Sequence, residues 1–256
     1  AMVNAPNSSK VGGIAGMQDK TGDYEMKTLK NSGAVSGVDY VGGIFGVFND
    51  RTSYRDNNTH YTKVDGIENS GAITASGNYA GGLIGSMNFE GVGNGPSYDW
   101  YDGSHALTML NAKNTGNVTG VYYVGGLFGY GTTDSGYSLL TDATSTAVVT
   151  ATAYVGGLIG RANNVGFASP SNKGSTIHAT GTYIDGSSQY AYVGGYVGYG
   201  TGVNISDAHN AVEIDYSATQ NKGAYVGGIA GYITGVLNNC ENVAMVNAPN
   251  SSKVGG

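Results

Sequence analysis

The side chains able to do chemistry gather in two stretches. Asp50, Arg51, Arg55 and Asp56 stand in the first, and Glu90, Asp99 and Asp102 in the second. Carboxylates beside a cation are what acid/base cleavage of a sugar polymer needs. Oxygen donors also suit calcium, from Asp99 and Asp102 or from Asp50 with Asp56 to Asn58. Neither stretch carries the spacing of a calcium loop, and scattered charges in irregular loops are ordinary solvated decoration. Of the histidines, His178 and His209 are expected on adjacent turns of one polar face, while His60 and His105 lie in the stretches just named. The single cysteine, Cys240, rules out an internal disulfide and a zinc cluster. Tyr98, Trp100 and Tyr101 form the one dense aromatic patch. It reads either as loop packing or as a surface that stacks on sugars or on a neighbour. No Lys-Ser/Thr follows a Gly-rich turn, so no phosphate loop is present. These residues give no reason to expect an enzyme, a metal or a cofactor.

What must position them is a repeat. Paired glycines begin at Gly12, Gly42, Gly81, Gly125, Gly156, Gly194, Gly227 and Gly255, at intervals of 28 to 44 residues. Self-similarity of this period marks a stacked architecture. The composition agrees: 45 Gly, only 4 Pro and 20 Tyr in 256 residues, with 12% charged. Such a chain suits many short strands joined by tight corners. The net charge of −6 without a basic cluster argues against a nucleic-acid partner. No apolar run reaches membrane-spanning length.

Each rung of the repeat can be aligned in columns. Two residues before the glycines stand Tyr40, Tyr79, Tyr123, Tyr154, Tyr192 and Tyr225, with Lys10 and Lys253 at the ends. The glycine pair predicts either a corner at positive φ or a close approach of backbones. Further upstream a core column is expected at Leu29, Ile67, Ala112, Ala143, Ile177, Ala208 and Cys240. Six residues later comes a second column, at Val35, Ile73, Val118, Val149, Tyr183, Ile214 and Val246. Between them, two places after the first column, stand Asn31, Asn69, Asn114, Ser145, Ala179, Asn210 and Asn242. Stacked asparagines can pass amide hydrogen bonds from strand to strand. The residue next to each, including Lys30, Glu68 and Lys113, is polar and predicts a solvent-facing ladder. Asn49 to Lys63, Ser86 to Met109 and Arg161 to Thr176 read as insertions, with smaller ones at Ile184 to Ala191 and Tyr216 to Ala224. Insertions on such arrays map to loops that carry binding.

Residues 1–13 read AMVNAPNSSKVGG, and residues 244–256 read the same. The other rungs have diverged, so this identity predicts a polymer of 243-residue, seven-rung units, in which 244–256 opens the next unit. Covalent tandem repetition and head-to-tail stacking of separate subunits both fit. Seven rungs at about 4.8 Å each rise about 34 Å.

The Tyr-Val-Gly-Gly-Leu-x-Gly segment, seen at Gly126-Leu127-Phe128-Gly129, Gly157-Leu158-Ile159-Gly160 and Gly82-Leu83-Ile84-Gly85, resembles the GLUG-motif repeats of bacterial cell-surface and secreted proteins. Ile or Tyr variants follow Gly13, Gly43, Gly195 and Gly228. The resemblance covers essentially the whole chain, and it implies a β-solenoid without catalytic residues of its own. The expectation is therefore an all-β, parallel β-solenoid, structural and extracellular, forming a stalk, fibre or filament on a microbial surface. The alternative is an adhesin whose loops bind glycans or a partner surface. The expected partner is the adjacent identical unit, with lateral copies or glycans as further candidates.

Overall fold

The computed structural model describes residues 1–20, 23–52, 60–91, 105–133, 138–174, 176–185, 188–218 and 223–256. Among them there is no helix. The chain winds as an all-β solenoid whose rungs stack in parallel register. Each rung contributes a strand to four walls. The asparagine wall has seven strands, from Lys30–Asn31 to Glu241–Asn242. The valine wall has eight, from Val3–Asn4 to Val246–Asn247. The glycine wall follows, from Val11–Gly12 to Lys253–Gly255. The long wall closes the rung. In most rungs it is broken in two, as in Phe45–Thr52 and His60–Asp65, but Val197–Ser206 and Ala230–Asn238 cross it without a break. The one antiparallel pairing described is a small hairpin, Tyr183–Asp185 against Ser188–Gly194.

Two apolar clusters fill the bore. One joins the valine wall to the residue before each glycine pair, through Val35, Val41, Ile73, Val118, Val149, Ile177 and Ile214. The other joins the residue after each pair to the long wall, through Ile44, Leu83, Leu127, Leu158, Phe48 and Phe128. Along the chain the glycines and the asparagines each fall between a member of one cluster and a member of the other. They meet there. A Cβ on Gly43 would lie 2.4 Å from Cγ of Asn69, and one on Gly82 would lie 2.2 Å from Nδ2 of Asn114. The second glycine of the pair is thus required for close approach. None of the paired glycines has a positive φ. The left-handed corners fall elsewhere: on Tyr40, Tyr79, Tyr123 and Tyr154, at φ of 54° to 63°, and on the residue before the first column. That second series, Thr28, Gly66, Asn111, Asp142, Ser169, Asp207 and Asn239, is mostly of types that tolerate the left-handed region.

The fifth rung departs from the columns expected of it. Ile177 pairs with Val149 and Ile214, so it belongs to the second column and not the first. Asn172 takes the place assigned to Ala179, pairing with Ser145 and Asn210. The first-column position falls to Pro170, which immediately precedes the paired Ser171. The corner here holds one more residue than in the other rungs, which breaks the spacing of six. Tyr183, six residues past Ile177, lies in the hairpin instead. Arg161 to Thr176 is accordingly no insertion but three strands of the rung, Ile159–Asn163, Val165–Ala168 and Ser171–Asn172.

Candidate functional site

The asparagine column is a hydrogen-bond ladder. Nδ2 of Asn31 donates to Oδ1 of Asn69 at 2.8 Å, and Nδ2 of Asn69 to Oδ1 of Asn114 at 2.8 Å. Each side chain also folds over its own corner. Asn69 donates to the Gly71 carbonyl, and its Oδ1 accepts from the Gly71 N–H. Ser145 interrupts the ladder, and Asn210 resumes it with a 2.8 Å bond to Asn242. Asn172 differs: its Nδ2 donates to the Gly195 carbonyl, and its Oδ1 is buried without a partner. Beside it stands Tyr196, where other rungs have Leu or Ile. Its ring is fully buried, and its hydroxyl donates to the His209 carbonyl at 2.7 Å.

The tyrosines stack ring upon ring. Centroids are 4.6 Å apart for Tyr40 and Tyr79, 4.9 Å for Tyr79 and Tyr123, and 4.8 Å for Tyr123 and Tyr154. The stack continues at 4.9 Å to Tyr192 and 5.1 Å to Tyr225. This is the strand spacing, so each ring rises with its rung. Lys253 ends the stack, 4.1 Å above the Tyr225 ring, with Nζ 2.8 Å from its hydroxyl. Burial, reinforced by neighbouring phenols, pushes Tyr123 and Tyr192 up to about 12 and Tyr154 further still. The charge of Arg161 pulls Tyr123 and Tyr154 the other way.

A second row runs beside this stack. Four residues after the second glycine, Ser86, Tyr130, Arg161, Tyr199 and Tyr232 pair in register up the long wall. Tyr199 and Tyr232 stack at 4.9 Å, and Tyr192 meets Tyr199 edge to face at the same distance. The Arg161 guanidinium lies 5.5 Å from the Tyr199 centroid, 5.8 Å from that of Tyr130 and 6.0 Å from that of Tyr123. The fixed offset from the glycines, with Gly-Tyr at Gly129-Tyr130, Gly198-Tyr199 and Gly231-Tyr232, was the signal for this row.

The other candidates scatter. His178 pairs with Thr150 and Asp215 on the valine wall, whereas His209 pairs with Ser171 and Glu241 on the asparagine wall. They are not stacked neighbours. Each faces a carboxylate instead, at 3.4 Å for Asp215 and 2.9 Å for Glu241. Lys30 and Glu68 form an exposed pair at 3.1 Å, worth about 0–1 kcal/mol. Cys240 is half-buried at the open end of the first column, not enclosed. The column's other end, Leu29, is likewise only partly buried, while Ile67, Ala112, Ala143 and Ala208 are buried. Tyr98, Trp100, Tyr101, Arg55, Asp56, Asp99 and Asp102 lie outside the described residues, as do the side chains of Asp50, Arg51, Glu90, His60 and His105. Among the described residues no three His, Cys, Asp or Glu side chains converge as a metal site. Among the described residues no helix is long and apolar enough to cross a membrane.

The two ends are alike in one respect. Met2, Ile14 and Met17 are exposed at the leading end, and Val236, Leu237, Val243, Met245 and Val254 at the trailing end. The duplicated thirteen residues keep one local shape. Ser8 N–H donates to the Ala5 carbonyl at 2.9 Å, and Ser251 N–H to that of Ala248 at 3.0 Å. Compared with family models, with curated proteins and with solved structures, the chain finds no match.

Proposed function

We propose that the chain is a structural extracellular repeat protein whose units stack end to end into a stalk or fibre on a microbial surface. One observation carries this reading. The thirteen-residue sequence occurs twice, once with a rung on its following side and once with a rung on its preceding side. As Val3-Asn4 it pairs with Val35-Ser36, and as Val246-Asn247 with Ile214-Asp215. As Val11-Gly12 it pairs with Val41-Gly42, and as Val254-Gly255 with Val226-Gly227. A single copy could therefore carry a rung on each side, in the same parallel register, which is the junction of a continuous stack.

Head-to-tail contacts that do not close on themselves generate filaments. The surface location rests on the resemblance of the Gly-Leu-x-Gly segments to GLUG-motif repeats. Electron microscopy and sedimentation of the purified chain across a range of concentrations test the proposal. Rods lengthening with concentration are expected. A discrete monomer at every concentration, together with a gene that encodes a single unit, would overturn it.

A further inference from the structure

The second aromatic row stops at Tyr130. Tyr130, Tyr199 and Tyr232 place rings along the long wall, and Arg161 lies among them, but the rung before Tyr130 has Ser86 at the same register position. Ser86 supplies no ring. A cavity of about 240 Å³ lies there, lined by Tyr40, Tyr79, Ser86, Tyr123, Tyr130 and Arg161. The spacing in this row is one ring per rung, as the 4.9 Å stack of Tyr199 on Tyr232 shows. Beyond Ser86 the row continues with Val47 and then Met17, so Tyr130 is its last ring on that side and the cavity lies where the rings stop.

Its chemistry is specific. Tyr40 and Tyr79 lie parallel, 2° apart, so their faces cover each other and their edges are left to the cavity. Tyr130 stands across Tyr79, at 82°. Arg161 has no carboxylate partner among the described residues, and an arginine held in an aromatic cleft keeps its fork of donors for a planar anion. Tyr79 and Tyr123 line the cavity as neutral phenols, burial raising both above the ordinary phenol range. A flat apolar face, polar groups at the ring's rim and one anionic substituent are the features of a pyranose carrying a carboxylate.

We propose that this cavity binds a carboxylated pyranose, stacked on Tyr130 over Ser86 with its carboxylate held by Arg161. The site belongs to one unit and does not depend on assembly.

Titration of the purified chain with glucuronate, glucose, benzoate and acetate, followed by NMR, tests this. Glucuronate is expected to saturate, with glucose at least about tenfold weaker for want of the charged pair. Arg161→Gln should bring glucuronate down to the glucose level. Arg161→Lys should lose most of the preference, because an ammonium cannot grip both oxygens. Ser86→Tyr should fill the cavity and abolish binding while Arg161 stays in place. Circular dichroism melts check that each variant folds, and if Ser86→Tyr does not, the arginine pair decides. Absence of saturation by glucuronate overturns the proposal. So does equal binding of acetate, which marks a simple anion site, or of benzoate, which marks an aromatic one. Binding indifferent to Arg161 also overturns it.

Discussion

At the scale of the residue, the fold rests on an exchange between two side chains of unlike size. Glycine gives up its Cβ so that asparagine can occupy the space across the bore. The exchange explains why both residue types recur together. A Cβ at Gly82 would stand 2.1 Å from the Gly126 carbonyl oxygen and 2.2 Å from Nδ2 of Asn114. Neither can retreat, since one is backbone and the other donates to the Gly116 carbonyl from a side chain whose Oδ1 accepts from Asn69. Gly82→Ala should therefore destabilise the chain by about 1–3 kcal/mol, the range of core overpacking. Urea unfolding measures it, and a shift under about 0.5 kcal/mol would show that the waist is loose. Tyr40, Tyr79, Tyr123 and Tyr154 bear the opposite strain. A left-handed residue with a side chain costs about 1–2 kcal/mol, offset here by ring stacking at about 0.5–1.5 kcal/mol per pair and by burial.

At the scale of the element, a strand of two or three residues is stable only through its column. Val118 is fully buried between Ile73 and Val149, whereas Lys113, five residues earlier, is exposed. Val118→Asp should cost several kcal/mol, since a lone carboxylate there finds no partner, and Lys113→Thr should change little. Equal tolerance in thermal melts would mean the inward and outward positions are reversed. The phenol column makes a prediction in pH. Burial pushes Tyr123 and Tyr192 of the stack, and Tyr216 on the valine wall, up to about 12 in the folded chain, against about 10 when unfolded. Below about pH 10 both states hold the proton and the columns are at full strength. Between about pH 10 and about pH 12 only the unfolded state releases it, so stability falls through that window. Phenolate absorbance should rise together with unfolding, and free titration of all tyrosines near pH 10 in a folded chain would contradict the burial. Columns with a constant offset were legible in the sequence because each wall repeats one residue type. The fifth rung was not. Pro170 and the extra corner residue moved the register by one, and Ile177 to Tyr183 reproduced the spacing of six by coincidence. Nor did the glycines reveal which residue turns the corner, because a glycine serves close packing and positive φ equally well. The Ser86 to Tyr232 row had a constant offset, but mixed residue types hid it.

At the scale of the molecule, the strongest contrast is between two copies of one valine. Val11, with a rung stacked on its following side, is 6% exposed, and Val254, with none there, is 52% exposed. The thirteen residues around them are the same, but Val11 also has the rest of its own rung after Gly13, so the difference is what the remainder of that rung and the next rung together cover. A second copy seated on the trailing end would bury Val254 together with Val243 and Met245, replacing water by strand backbone and aliphatic side chains. That makes the junction separable from the fold. Val254→Asp places a carboxylate where the isolated unit is already wet, so its melting should move by no more than about 1 kcal/mol. In a stack the same carboxylate would be enclosed without a partner, at a cost of several kcal/mol for every junction. Fibres should therefore shorten or vanish in micrographs while the unit still folds. Fibres of undiminished length from Val254→Asp would mean that the units meet by some other surface, and that the aliphatic ends are not the joint.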